Sequence, residues 1–128
     1  NAPSGRVGRI SLTDTQVREI AAFLRVINAL ENIRAASAMI EEARASSQRP
    51  SEAARLSVEE IDDAVRVLAG ADLHADAQGY LREAKDLVGE ARRYERNWRH
   101  QLGEALATLQ RARNAILAPP PADAKSAK

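Results

Sequence analysis

Proline placement constrains this chain more than any other feature. A proline inside a helix removes a backbone donor and clashes with the preceding turn, at a cost of about 3 kcal/mol. Pro3, Pro50 and the run Pro119, Pro120 and Pro121 leave two long proline-free spans. Both carry apolar residues at helical spacing. The opening residues, with Pro3, Gly5 and Gly8, read as a linker over 1–10. Residues 11–118 read as helices, and the proline-, alanine- and lysine-rich residues 119–128 as a disordered tail. No alternating run of β-branched residues competes with helix. The expected fold is therefore all-α, an antiparallel three- or four-helix bundle or a long helical hairpin.

The first helix has a legible start. Thr13 followed by Gln16 three residues on matches a capping box, and Leu12 is placed to pack on Val17 as a hydrophobic staple. Val17, Ile20, Leu24 and Ile27 recur at spacings of three and four and are continued by Leu30, Ile33, Ile40 and Ala43, which predicts one core-facing stripe ending near Ser46. The stripe changes register between Asn28 and Asn32, marking a bend or the point where one packing partner gives way to another. A second helix is capped by Ser51 or Ser57, buries Ala54, Val58, Ile61, Val65 and Leu68, and ends at Gly70.

From Asp72 onward, Leu73, Ala77, Tyr80, Ala84, Leu87, Ala91, Tyr94 and Trp98 form a heptad-like seam, continued after a phase slip by Leu102, Ala105, Leu109, Ala112 and Ile116. Unbroken, this helix would be about 65–70 Å long. A turn at the slip, near Asn97 to Gly103, makes four helices instead of three. On this reading Trp98 is a core residue whose truncation to alanine costs about 3–5 kcal/mol.

Composition narrows the chemistry. A formal net charge of +1 on 128 residues gives no global pull toward nucleic acid or membrane. The absence of cysteine excludes disulfides, thiolate metal sites and covalent haem attachment within this chain. No apolar run is long enough to span a membrane. Beginning at Asn1 instead of methionine, the chain reads as a processed, trimmed or excised product.

Candidate ligands are few. The histidines are His74 and His100. His74 lies between Asp72 and Asp76 and could bind a metal with them, although a solvated place in the first turn of the third helix explains it more simply. His100 has Glu104 one turn on, the spacing of a surface ion pair. Met39 and His100, on different helices, form a pair that could ligate a non-covalent haem in a bundle, while Met39 alone reads as a gap-filling core residue. Adjacent acidic pairs diverge by about 100° on a helix and make no dyad. They suit surface pairs such as Glu41 with Arg44 and Asp62 with Arg66. Arg92, Arg93, Arg96 and Arg99 interleave with Tyr94 and Trp98, a pattern that could stack bases. Placing both aromatics on the seam leaves these arginines as a solvated flank suited to an acidic protein partner instead of nucleic acid.

The segment from Gly8 to Leu30, with Leu12-Thr13-Asp14 and Ala22-Phe23-Leu24, resembles the C-terminal helix of bacterial di-haem cytochrome c peroxidase and MauG-like proteins. The Cys-x-x-Cys-His attachment sequence of that family is absent, and no haem ligand carries across. The resemblance implies an exported, periplasmic setting. It also implies that this chain is the C-terminal part of an electron-transfer protein, with haem c held in an upstream or partner domain, and that an appended helical domain begins at Glu31. It further implies that Phe23 and Leu24 need a partner once parted from a haem domain.

The expected function is thus a non-catalytic helical accessory or interaction domain that holds no cofactor of its own. A haem- or metal-binding bundle is the alternative, as is a coiled-coil scaffold that self-associates through the seam from Leu73 to Ile116 and gives a homo-oligomer.

Overall fold

A computed structural model describes residues 11–49, 51–94 and 96–119. The sequence-assigned linker over 1–10 and the tail from residue 120 onward lie outside the described residues. The helices are α1 (Asp14–Ala45), α2 (Ser51–Ala69), α3 (Ala75–Arg93) and α4 (Trp98–Leu117). They form an all-α bundle in which α1 packs on α2 and α4, and α3 packs on the same two. The diagonal pairs α1 with α3 and α2 with α4 do not approach each other among the described residues. Short connections between successive helices make neighbours antiparallel.

Each helix buries one stripe in which small and branched residues alternate. On α1 it reads Ala29, Ile33, Ala36, Ile40, Ala43, and on α2 Ala54, Ser57, Ile61, Ala64, Leu68. On α3 it reads Ala77, Leu81, Ala84, Val88, Ala91, and on α4 Leu102, Ala105, Leu109, Ala112, Ile116. Alanine lets backbones approach closely, and the branched side chains fill the space between. Expected and observed stripes agree fully on α4. On α3 the observed stripe keeps the alanines but selects Leu81 and Val88, leaving Tyr80 and Leu87 half-buried at its edge. An alanine-spaced interior accepts Leu and Val, whereas a phenol does better with its hydroxyl in water.

The helix ends explain the connections. The capping box of α1 is present: Gln16 N–H donates to Thr13 Oγ1 at 3.0 Å and Thr13 N–H donates to Gln16 Oε1 at 2.9 Å. Helix α2 begins at Ser51, so Ser57 lies within it, its hydroxyl donating to the Ala54 carbonyl. The end of α2 does not use Gly70 as expected. Asp72 takes the left-handed conformation at φ 54°, with Leu73 N–H donating to the Leu68 carbonyl and Asp72 N–H to the Ala69 carbonyl. That is a Schellman closure with an aspartate in the position usually held by glycine.

The helical stretch expected from Asp72 starts at Ala75 and breaks after Arg93, and Asn97 at φ 59° turns the chain into α4, so of the two alternatives it is the four-helix one that forms. Tyr94 consequently falls on the turn and is 61% exposed, and Trp98 is half-buried, not fully enclosed. Both were expected in the core. A seam extrapolated through a turn loses its phase there.

Candidate interaction surface

Helix α1 has 32 residues against 19 or 20 for the others, so it outruns them by about 18–20 Å at 1.5 Å per residue. The excess lies at its N-terminal end. The side-chain hydrogen bond to the bundle nearest this end, among the described residues, is that of Arg25, whose Nη1 donates to the Val67 carbonyl at 3.0 Å. Ala71 N–H bonds to the Leu68 carbonyl instead, which leaves the Val67 carbonyl without its usual helical donor. The guanidinium therefore satisfies an end carbonyl of α2 and places a cation at the negative end of that helix.

Over this part of α1 the large apolar residues point away from the bundle. Val17, Ile20, Phe23, Leu24 and Ile27 are all exposed, Phe23 at 63% and Leu24 at 55%. This corrects the expected single stripe. At about 100° per residue, Val17, Ile20, Leu24 and Ile27 centre roughly 160° around the helix from the buried Ala29, Ile33, Ala36, Ile40 and Ala43. The two stripes occupy opposite faces. The outward one ends where Ile27 is followed at helical spacing by Glu31 and Arg34, which pair with each other at 2.6 Å. The Arg34 hydrogen bond holds the Glu31 carboxyl below the usual carboxylate range. With Leu12 included, the exposed apolar side chains present on the order of 500 Å², at the upper end of what a monomer shows in one patch. The staple expected between Leu12 and Val17 leaves both about half exposed.

Phe23 and Leu24 therefore sit on this exposed face. The register change between Asn28 and Asn32 is where an uncovered stripe gives way to the buried one within a continuous helix. Missing from the sequence-based set are Val17, Ile20 and Ile27, which the interruption by Glu31 and Arg34 would have separated from the core stripe.

Beside this face, Ile27, Leu30, Glu31, Arg34, Arg113 and Leu117 line an open groove between α1 and the end of α4. On the other side, Asn28, Glu31, Asn32, Asp63, Arg66 and Val67 line a second cleft against α2.

The opposite end of the bundle is basic. Arg92, Arg93 and Arg96 are exposed around the α3–α4 turn. Arg99 is exposed too but is committed within the chain: its Nε donates to the Arg44 carbonyl at 3.2 Å and its Nη2 to the Ser46 carbonyl at 2.6 Å, closing the end of α1. Arg44 returns the arrangement by donating to the Arg99 carbonyl, lying across Gly103, where a Cβ would come within 2.9 Å of its guanidinium. It does not pair with Glu41 as expected. Arg99 also lies over the Trp98 ring, 4.4 Å from its centre, and Arg93 over Tyr94 at 5.8 Å. Both aromatic faces are thus partnered by arginine. Asp62 pairs with Lys85 of α3 at 2.9 Å, and Arg66 with Asp63, in place of the expected pairing with each other.

The candidate ligands are not assembled. His100 is exposed, with Nε2 4.0 Å from Glu104, and Met39 is half-buried on α1. His74 takes the left-handed conformation before α3, while Asp76 Oδ1 accepts from Ala77 N–H. Among the described residues no three His, Asp or Glu side chains converge to hold a metal ion. The buried polar side chains Ser57, Gln78 and Thr108 bond to the carbonyls of Ala54, Leu73 and Glu104, so none is left aimed into the interior. Apart from the exposed Tyr94, the seam from Leu73 to Ile116 packs within the chain, where α3 meets α4. No described helix is long and apolar enough to cross a membrane. No family model, curated protein or solved structure matches the chain.

Proposed function

We propose that this chain is a non-catalytic helical interaction domain whose working surface is the outward face of the N-terminal half of α1. One observation carries the reading: a single helix bears two apolar stripes on opposite faces, and the bundle uses only the second. Burial of apolar surface is the main favourable term in association as in folding. A face of Val, Ile, Leu and Phe displayed on a capped helix is suited to receive the apolar surface of another protein. The four-helix body anchors that helix through Arg25 at one end and the Arg44–Arg99 exchange at the other. For the partner, the resemblance of residues 8–30 offers an exported c-type cytochrome domain engaged in electron transfer. The stripe itself offers a further candidate, argued below. Arg92, Arg93 and Arg96 form a lesser, charged surface at the far end.

A photo-cross-linking residue placed at Phe23 in the native host tests this reading, with the same residue at Arg92 as a control. A defined protein adduct at Phe23, abolished by Leu24→Arg and absent at Arg92, is the expected result. Adducts equal at both positions, or none at Phe23, would defeat the proposal.

A further inference from the structure

Resting on that reading of the surface, we infer that its occupant is a second copy of the same chain, paired antiparallel about a two-fold axis level with Ala22. Val17, Ile20, Leu24 and Ile27 lie five and two residues on either side of Ala22. A face with that symmetry complements itself when one copy is reversed, as an isologous contact requires. Val17 then meets the partner's Ile27, and Ile20 the partner's Leu24.

The flanks fit as well. Phe23 lies on the α4 side of the stripe and meets the partner's Phe23 across the axis. On the α2 side Ala21 meets the partner's Ala21, small enough for the helices to close. The same register carries the partner's Leu12 to the level of Asn32, where Ile27, Leu30 and Leu117 line the groove beside α4. An interface that begins on the free part of α1 thus continues onto the bundle.

Charge selects the direction. Past Ile27 the outward face becomes Glu31 and Arg34. A parallel pair would set Glu31 against the partner's Glu31 and Arg34 against the partner's Arg34, which is repulsive. The antiparallel pair separates the two Glu31 and the two Arg34 and sets Glu31 level with the partner's Thr13, at the N-terminal end of the partner's α1, where Asp14 lies to the α2 side of the stripe. The polar residues around the stripe, Asp14, Arg18, Glu19 and Arg25, mix both signs and form no basic face for an anionic membrane.

The two stripes together bury on the order of 1,000 Å² of apolar surface, at the threshold for a specific but weak association. The expected state is a monomer–dimer equilibrium with a dissociation constant on the order of micromolar or weaker.

Analytical ultracentrifugation of the full chain from micromolar to several hundred micromolar tests the pairing. A reversible dimer that Leu24→Arg weakens by about 100-fold, and that Arg82→Ala on the exposed face of α3 leaves unchanged, is expected. The cysteine-free background allows the orientation to be read. Oxidised Ala21→Cys should give covalent dimer, and Asp14→Cys should cross-link to Asn28→Cys in a mixture but not to itself. A strict monomer throughout, or self-cross-linking of Asp14→Cys without cross-linking of Ala21→Cys, overturns the inference. If the chain is monomeric while a cross-linker at Phe23 captures a different protein, the pairing fails and the docking surface stands. If Phe23 captures neither, both fail.

Discussion

The two halves of α1 both carry apolar residues at helical spacing and do opposite things. From Ala29 to Ala43 alanine and isoleucine alternate on one face and all are buried. From Val17 to Ile27 larger apolar residues recur at the same spacing on the other face and all are about half exposed or more. Spacing makes a helix amphipathic, and the partner decides which stripe is buried. The composition differs in an informative way. The buried half uses alanine to let helices close on it, and the exposed half carries Phe23 and Leu24, which add more contact area per residue.

Core truncation should separate the halves most sharply. Ile40→Ala is expected to destabilise by about 2–5 kcal/mol because it opens a cavity at a fully enclosed position. Ile20→Ala should stay within about 0.5 kcal/mol when measured at concentrations too low for association. Urea unfolding of both variants checks this, and equal losses would break the contrast. The joint between the halves should respond less. Arg25→Ala removes the donor to the Val67 carbonyl and should cost about 1 kcal/mol, with faster local opening at the end of α2 seen by amide exchange.

The smallest effect is expected at Glu31, where the outward stripe ends, together with Glu52 on α2. Arg34 and Arg55 hold these carboxyls below the usual range through side-chain hydrogen bonds. A carboxyl with a depressed folded value adds stability above its unfolded value of about 4.3 and loses it as pH falls through the lower folded value. Glu31→Gln combined with Glu52→Gln should therefore flatten the acid limb of a stability profile and leave its slope between pH 6 and 8 unchanged. Both sites face solvent, so the change is small.

The bundle was largely legible because its signals are local or strictly periodic. The Thr13–Gln16 box, the stop at Ala45 close to the expected Ser46, and the α4 stripe from Leu102 to Ile116 all follow from neighbouring residues. Two features were misread for one physical reason. Periodicity locates a stripe but says nothing of what faces it, so Val17 to Ile27 merged with Ile33 to Ala43, and Tyr94 and Trp98 merged with α3. The left-handed conformation at Asp72 escaped because only glycine announces it clearly, whereas the turn at Asn97 was signalled by the phase slip of the seam. Arg25, Arg44 and Arg99 reach carbonyls more than forty positions away, a partnership no local pattern carries.

Amide hydrogen exchange along α1 of the full chain, followed as concentration is raised, tests the two-faced helix most directly. At low micromolar concentration residues 17–24 should exchange through shallow local opening, while residues 33–43 exchange only when the whole bundle unfolds. Raising the concentration should slow 17–24 alone. Equal protection of both spans at the lowest concentration would show that a single copy already covers the outward stripe, and would contradict the account.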